Sequence, residues 1–292
     1  MSESPPVDGA GSLTVSTRAR RQQFEQKQRR TSTAVAATST TAFVALLVWL
    51  LPKTSGWQEV RESFFDGTVF RESFRPILRA FGLDIRIFLV CAPCIVAVAL
   101  VVAVARNIRT PALYPLRLIA TLYTDVVRGV PVILWITMLG FGVPGLLQTR
   151  DWYGRPIIWG SVALILTYSA YVAEVFRAGI ESVHESQRAA ARSLGLSSGQ
   201  TMRSVVLPQA VRRVIPPLMN DLVSLQKDVA LISVLGPVEA LRRATIIKDR
   251  IFNFTPYVVA AVLFLCVSIP LTRLTDHLLA RDRRRMSGTA VT

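Results

Sequence analysis

The sequence of 292 residues is poor in the residue types that build disulfide frameworks and metal sites, with three cysteines and two histidines. Cys91, Cys94 and Cys266 all lie in apolar runs, which is not the pattern of a disulfide-rich secreted protein. Cys91 and Cys94 have a redox-motif spacing, but they lie within a membrane-length segment and are expected to be packing residues. His184 and His277 lie in separate segments, and no metal site is expected.

Acidic residues are also few. The chain has 19 Asp and Glu against 34 Lys and Arg, a net charge of +15, although 51% of its residues are hydrophobic. In a membrane protein, apolar residues face lipid while Lys and Arg gather in the loops on one side. Basic composition alone could indicate nucleic-acid binding, but here the charge is divided among loops between long apolar runs. We therefore predict an all-α integral membrane protein, in contact with lipid and not with nucleic acid.

The motifs of ATP binding and of catalysis are missing as well. The sequence contains no phosphate-binding G-x-x-x-x-G-K-[ST] loop, so this chain is not expected to bind ATP. It has no recognisable grouping of nucleophile, base and orienting residue, and no H-E-x-x-H metal motif. The chain is therefore expected not to be an enzyme and to bind no cofactor itself.

Charge-free runs of about one bilayer thickness predict transmembrane helices. One apolar stretch, at about 214–238, is interrupted by Asp221, Lys227 and Asp228. The first run could belong to a cleaved signal peptide, but it starts late and no small-x-small cleavage site follows Pro52. If the interrupted stretch and the first apolar run are both counted, the sequence predicts about six spans, at 34–51, 82–105, 116–142, 157–178, 212–236 and 255–275.

The distribution of Lys and Arg predicts the orientation. With six spans, most basic loops fall on the side of the N-terminus, so both termini are predicted to be cytoplasmic. The basic loop 239–254 is an exception to this rule. The predicted segments are a basic cytoplasmic tail (1–33, expected to be disordered), an extra transmembrane helix (34–51), an external loop (52–79), a membrane domain (80–278) and a second basic cytoplasmic tail (279–292).

The cytoplasmic connection over 180–211 is too long for a simple link between helices. Its composition predicts a helix from Glu181 to Leu194, ended by Gly195. Ser197 and Gln200 have the spacing of a capping box, which predicts a second helix. That helix is expected to end before Pro208. Composition leaves two interpretations equally open, a rigid protruding knob and an amphipathic hairpin on the membrane surface.

Several charged residues fall inside predicted spans. Glu174 and Arg177 have the spacing of an i,i+3 ion pair. Lys227 and Asp228 should face the interior or a wet cavity, because isolated charges in a span are costly. We expect them to hold helices together near the pathway, with direct substrate contact or an interface position as the alternatives.

The third predicted span contains a proline at which the helix should bend. Pro131 lacks an N–H and should bend the helix just after Arg128 and Gly129. Such a bend in a membrane requires cover by protein or water, which suggests the wall of a cavity. Asp125, one turn before Arg128, is the expected partner of that charge.

The segment Glu181–Pro208 resembles the "EAA" coupling loop of bacterial ABC importer permeases. In that family, two short helices dock on an ATPase subunit and carry its movement into the membrane. The resemblance implies that the coupling loop lies at 180–211 and uses Glu181, Gln187, Ala190, Ala191, Gly195, Leu207 and Pro208.

Three further stretches are similar to the polar amino-acid permeases of the histidine/glutamine type: Tyr123–Pro131, Ala170–Ile180 and Lys227–Leu231. The resemblance runs from about residue 82 to 274, so it implies a five-helix permease core preceded by one extra helix. It further implies transport of polar amino acids across the cytoplasmic membrane. The implied partners are ABC ATPase subunits that bind ATP and Mg, a second permease subunit and an external substrate-binding protein.

The sequence also departs from the family pattern. Ala189 stands where the coupling loop usually has an acidic residue, and Val229 and Ala230 replace two hydroxyl residues. Glu185 or Glu181 could supply the missing charge. Alternatively, a heterodimer with a more regular permease, which we favour over a homodimer, would tolerate the change. An ATP-independent channel or ion-coupled transporter remains the alternative function, although it leaves the 180–211 connection unexplained.

Overall fold

The computed structural model describes residues 32–33, 35–108, 110–149 and 151–288, without the side chains of residues 278 and 281–288. Most of the predicted tail over 1–33, and the side chains over 281–292, lie outside this description. The chain divides into two units, Met1–Glu62 and Ser63–Thr292. In the first unit, the apolar helix α1 (Val35–Lys53) has 0% of its most apolar window buried against protein, as expected of a helix that faces lipid.

The described residues form helices and no β-strand, which confirms the predicted all-α class. The boundary between the two units falls within α2. The α-helices after α1 are α2 (Trp57–Phe64), α3 (Gly67–Asn107), α4 (Tyr114–Gly129), α5 (Val132–Leu147), α6 (Pro156–Glu181), α7 (Glu185–Ser193), α8 (Ser198–Thr201), α9 (Leu207–Asp228), α10 (Ala240–Ile251) and α11 (Thr255–Gly288). A π-helix (Met202–Val206) joins α8 to α9, and a 3₁₀-helix (Val229–Leu235) follows α9.

Four helical stretches in the described part of the chain are long and apolar enough to cross a membrane, and the bent pair α4–α5 brings the number to five. The predicted span over 212–236 is not among them. It corresponds to α9 and the following 3₁₀-helix, and its charged residues lower its hydropathy.

Helix α6 lies at the centre of the second unit and packs against α3, α4, α5 and α9. Glycines let the 3₁₀-helix after α9 pack closely on α5 and α6, because a Cβ at Gly140 of α5 or Gly160 of α6 would overlap Leu235. Val229 and Ala230, which replace hydroxyl residues of the family pattern, are 0% and 8% exposed. Apolar side chains suit these buried positions, so the loss of the hydroxyls leaves no polar group to satisfy.

The segment over 52–79, expected to be an external loop, is largely helical, since it contains α2 and the first turns of α3. The Asp66 carboxylate caps α3 by accepting hydrogen bonds from the N–H groups of Thr68 and Val69. Apolar side chains then recur at helical spacing on α3, and Ile77 and Phe81 are buried against α10 and α11. This apolar cluster explains why the first turns of α3 and the segment of α10 are helices and not the predicted loops.

The second helix of the 180–211 connection does not end before Pro208, and that expectation was wrong. The chain continues from α8 through the π-helix into α9, with Pro208 in the first turn of α9. The wider π turn shifts the hydrogen bonds to i−5 partners. Pro208 therefore lies in the first turn of α9, where the missing N–H and the fixed φ of proline are tolerated.

Candidate functional site

The segment between α6 and α9 folds as a helix, a tight turn and a second helix. At its start, the His184 ring nitrogen Nδ1 accepts a hydrogen bond from the Ser186 N–H at 3.2 Å. At its centre, Gly195 has φ 83°, a left-handed conformation that favours glycine. The N–H of Leu196 donates to the Ala191 carbonyl at 3.2 Å, as in a Schellman motif. The predicted helix stop is therefore present.

The capping box predicted at the start of α8 is also present. The Ser197 Oγ accepts from the Gln200 N–H at 3.3 Å, and the Gln200 side chain accepts from the Ser197 N–H at 2.9 Å. We call the segment Glu185–Val206, which contains α7, the glycine turn, α8 and the π-helix, the coupling segment.

Two arginines attach the coupling segment to the end of α6. Arg188 on α7 donates to the Ile180 carbonyl at 2.6 Å, and Arg213 on α9 donates to the Ser182 carbonyl. Helix carbonyls at a C-terminus lack partners within the helix, so these guanidinium groups satisfy them. Because α7 and α9 both hold the same turn of chain, the segment is anchored from two sides.

Most of the predicted coupling residues are exposed, either on this anchored segment or directly beside it. Ala191 is the exception, because it is 5% exposed and packs inward. At the turn, Leu194 is 84% exposed, which leaves a large apolar side chain at the tip. The exposed predicted residues are Glu181, Gln187, Ala190, Gly195, Leu207 and Pro208.

Neither proposed substitute for the acidic residue missing at Ala189 is free. The Glu185 carboxylate lies 3.1 Å from Arg192 Nη2, although both side chains are more than half exposed. Glu181 forms an ion pair with Arg177. The exposed Glu185 pair is weak and can exchange for another partner.

A network of arginines surrounds Glu174 at the end of the unit that carries the coupling segment. Glu174 Oε2 accepts from Arg106 Nη1 at 2.7 Å and lies 3.8 Å from Arg128 Nη1. Arg177 Nε lies 3.1 Å from both oxygens, so the predicted i,i+3 pair is present. Arg177 also contacts Glu181, the last residue of α6. The network thus joins α3, α4 and α6 and continues to the start of the coupling segment.

The predicted bend after Arg128 is present, because the helix Pro111–Gly129 and the helix Val132–Leu147 meet at 106°. The ion pair expected between Arg128 and Asp125 is not among the contacts of the described residues. Arg128 contacts Glu174 and lies 5.6 Å from the Tyr171 ring centre, and no ion pair joins it to Asp125 in the described structure. Helix α4 packs against α6, and this packing brings the Arg128 guanidinium close to Glu174 and Tyr171.

Lys227 and Asp228, the charged residues predicted inside the fifth span, have different environments in the structure. Asp228 accepts a hydrogen bond from the buried Tyr168 hydroxyl of α6 at 2.8 Å, so it does link two helices. Lys227 is exposed. Adjacent helical residues point about 100° apart, which explains why one of them faces the interior and the other does not.

A cavity of about 160 Å³ lies between α3, α6 and α9. Its lining is mostly apolar, but Tyr168 and Asp221 contribute to it. The buried Oδ2 of Asp221 has no hydrogen-bond partner among the described residues. An unpaired buried oxygen is costly, so this carboxylate needs water or a polar ligand.

Sequence analysis missed several buried polar residues that connect distant helices. Asp84 is 1% exposed and accepts from the Ala240 N–H at 3.1 Å, which attaches α10 to α3. Glu239 is 0% exposed and caps α10, and burial raises the pKa of its carboxyl group. Ser268 donates to the buried Gln226 at 2.6 Å. A lone acid in an apolar run was the only available signal, and it does not reveal the partner.

The described residues contain no group of three or more His, Cys, Asp or Glu side chains that could hold a metal ion. A family model described as "Binding-protein-dependent transport system inner membrane component" matches residues 96–284. The chain belongs to this family. It is therefore a multi-pass membrane component, and the match includes the coupling segment, the Glu174 network and the cavity residues of α6 and α9.

Relatives within the family have printed names that concern amino acids. The glutamine transport system permease protein GlnP of Rickettsia prowazekii is 36% identical over 50% of this chain. The chain spans just under two thirds of that relative, 66% of its length. The arginine transport system permease protein ArtQ of Bacillus subtilis is 35% identical over 53% of this chain and 69% of that protein.

Solved structures agree with the family. A crystal structure of an amino acid ABC transporter with histidines matches at a TM-score of 0.67 and 27% identity, covering 74% of this chain and 98% of that chain. The MetNI methionine ABC transporter matches at a TM-score of 0.57 and 17% identity, which supports the fold alone.

Proposed function

We propose that this chain is the permease subunit of an ATP-binding-cassette importer that moves polar amino acids across the cytoplasmic membrane. ATP binding and hydrolysis, with Mg, belong to separate ATPase subunits. The names of the relatives support the amino-acid substrate, and the Lys and Arg distribution supports cytoplasmic termini. The observation that carries the proposal is the exposed, doubly anchored coupling segment in a chain of this family.

In this proposal the coupling segment docks on the ATPase. The tip formed by Leu194 and Gly195 is exposed, while Arg188 and Arg213 fix its base to α6 and α9. A rigid attachment transmits a displacement of the segment, because packed elements move as units. Movement of the ATPase would thus reach α6, and through Glu174 it would reach α3 and α4.

The substrate pathway is proposed to run beside α3, α6 and α9. The cavity of about 160 Å³ between these helices has an apolar surface, and Asp221 and Tyr168 are among the residues of its wall. Transient contact with a polar substrate would satisfy the free Asp221 oxygen without permanent binding. Asp228 and Tyr168 hold the helices together at this point.

The proposed assembly contains a second permease and an external substrate-binding protein. A heterodimer is favoured, because the acidic residue of the coupling loop is replaced by Ala189. A more regular partner subunit would supply the stronger ATPase contact. The extra helix α1 is proposed to lie in lipid, since its apolar window is 0% buried against protein.

The test is gentle purification of the tagged full-length chain from membranes of its native host, with mass spectrometry of the co-purifying proteins. We expect an ATPase subunit and a second permease with the wild type. Gly195→Arg should lose the ATPase, because the left-handed turn disfavours side chains. Gly195→Asn is the matched control and should retain it, since asparagine tolerates this conformation.

If no ATPase co-purifies while other importers of the host remain intact, the proposal fails and an ATP-independent channel or ion-coupled transporter becomes the better hypothesis. A single permease species in the complex would rule out the heterodimer and leave the importer proposal standing.

A further inference from the structure

A groove of about 550 Å³ lies between the first turns of α3 and the start of α10. Its charged lining consists of Arg75 and Arg79 from α3, Arg243 from α10 and a single carboxylate, Glu72. The groove is open to solvent, and Arg75, Arg79 and Glu72 are exposed. It therefore concentrates positive charge in a concave surface large enough for several side chains of another molecule.

Glu72 offsets part of the positive charge of the groove, but the described residues form no ion pair with its arginines. Within the described residues, none of the three groove arginines has a carboxylate oxygen within ion-pair distance. The nearby acids Asp84 and Glu239 are buried and accept hydrogen bonds from backbone N–H groups of α10. Neither acid is available to the groove, so an anionic partner would meet free guanidinium groups.

The height of the groove distinguishes a lipid headgroup from a soluble partner. The charge-free part of α3 begins at Ile87. At 1.5 Å per residue, Arg79 lies about 12 Å and Arg75 about 18 Å before it along the helix. The polar layer of a bilayer adds about 5–8 Å on each side of the hydrocarbon core. With the hydrocarbon edge at Ile87, where the charge-free part starts, and α3 along the bilayer normal, Arg75 and Arg79 lie beyond the headgroups, within reach of a soluble protein.

The groove lies at the N-terminal end of α3. Arg106 lies at the C-terminal end of α3, which is the end of the unit that carries the coupling segment. Two of its arginines, Arg75 and Arg79, precede the residues matched by the family model. The basic loop 239–254 violates the expected charge distribution if this end is external. A binding role gives these positive charges a reason to be at this end.

We infer that the groove binds carboxylate side chains of a soluble protein on the side of the membrane opposite to the coupling segment. The guanidinium groups accept carboxylates in bidentate geometry, which fixes the orientation of the partner as well as attracting it. The inference rests on the proposed function for the identity of that side, which is then extracytoplasmic. The acidic partner in that compartment is the protein that delivers substrate.

The first experiment uses a defined acidic probe, a fluorescein-labelled hexaglutamate peptide. The full-length permease with its co-purified subunits is placed in phosphatidylcholine nanodiscs, and binding is followed by fluorescence anisotropy. We expect saturable binding that weakens as NaCl is raised. Arg79→Glu combined with Arg243→Glu should weaken binding about tenfold or more, because it replaces two attractions by repulsions.

The matched control is Arg71→Glu combined with Arg242→Glu, which makes the same change in net charge. Both arginines are exposed, and neither lines the groove. The control should bind the peptide within about twofold of wild type. Equal losses in the two double variants would show a diffuse charge effect and overturn the inference, as would absence of peptide binding.

A second set of measurements separates the possible occupants. Nanodiscs that contain phosphatidylglycerol should leave peptide binding unchanged, and competition by this lipid would identify a lipid site and overturn the inference. Purified substrate-binding proteins of the host, added one at a time, should include one that stimulates the ATPase. The groove variant should lose this stimulation and keep basal ATPase activity, while the control variant keeps both.

These outcomes also separate the inference from the proposed function. If no ATPase co-purifies with the chain, the importer proposal fails, whereas the peptide still tests the groove. If the ATPase is present and stimulated equally in the groove variant, the groove inference alone is wrong.

Discussion

The arginines at the two ends of the second unit lie in different environments. At the end with the coupling segment, Arg106 and Arg177 hold Glu174, and Arg188 and Arg213 satisfy carbonyl groups at the end of α6. Arg106 joins α3 to α6, Arg177 forms ion pairs within α6, and Arg188 and Arg213 fix the turn that follows α6. The positive charges of these four arginines are part of the internal structure.

At the opposite end, the arginines lie on an open surface. Arg75, Arg79 and Arg243 line one groove, and they have no ion pair with the described residues. Helices α3 and α10 are joined there by other means, namely the apolar cluster with Ile77 and the hydrogen bond from the Ala240 N–H to Asp84. The paired arginines at one end therefore serve stability, whereas the groove arginines at the other end are available for binding.

The largest effect should come from Glu174→Gln. This change removes the carboxylate that three arginines share, and it leaves their charges close together. The Glu174 side chain is 22% exposed, so the cost is reduced from that of a fully buried ion pair to about 3 kcal/mol. The free energy of unfolding can be measured by SDS titration in mixed micelles with tryptophan fluorescence.

Glu181→Gln is the control for that experiment. Its side chain is 58% exposed and contacts Arg177 alone, so a loss below about 1 kcal/mol is expected. Equal losses in the two variants would mean that the network around Glu174 does not stabilise this end, and the contrast between the two ends would disappear.

The middle of the unit should give a smaller effect. Tyr168→Phe removes the hydrogen bond to Asp228 and should lower the free energy of unfolding by about 2 kcal/mol, since bonds to charged groups exceed neutral ones. Tyr171→Phe is the matched control, because its ring lies near Arg128 and a phenylalanine ring keeps that contact. If Tyr168→Phe left the free energy of unfolding unchanged, Asp228 would have another hydrogen-bond donor and would not need α6.

Local features of the structure were predictable from sequence, because their signals lie within a few residues. Gly195, the capping box at Ser197 and the bend before Pro131 each depend on backbone chemistry at the site itself. Apolar runs likewise predicted helices that cross the membrane. The resemblance of the coupling segment to a known family supplied the functional hypothesis that these local signals could not.

Contacts between distant residues were not predictable in the same way. Arg106 and Glu174 are separated by 68 positions, and the sequence holds nothing that pairs them. For Arg128, the nearby Asp125 was preferred as partner, and the structure shows a contact with Glu174 instead. Which carboxylate an arginine reaches depends on helix packing, so a single sequence cannot specify it.

A third prediction concerns helix packing beside the coupling segment. A Cβ at Gly179 of α6 would overlap the Val214 side chain of α9 and approach the Ala210 carbonyl at 3.3 Å. Gly179→Ala should therefore cost about 1.5 kcal/mol, within the range for overpacking. Adding Val214→Ala should recover part of this loss, because it removes the overlapping methyl groups.

Gly199→Ala provides the comparison for that pair, since no atom lies within 4 Å of its added Cβ. It should not lower stability, because alanine is the better helix former. If Gly179→Ala and Gly199→Ala behaved alike, α6 and α9 would not be tightly packed, and a rigid link from the coupling segment to α6 would lose its support.

The smallest effect is expected at the groove. Arg79→Gln should change the free energy of unfolding by less than about 0.5 kcal/mol, because an exposed arginine without an ion pair contributes little to folding. Arg106→Gln is the matched substitution at the other end. Its side chain is 13% exposed and donates to Glu174 at 2.7 Å, so it should cost about 2 kcal/mol. A measurable loss in Arg79→Gln would show that the groove arginines stabilise α3, and the positive charge at this end would then need no partner to explain it.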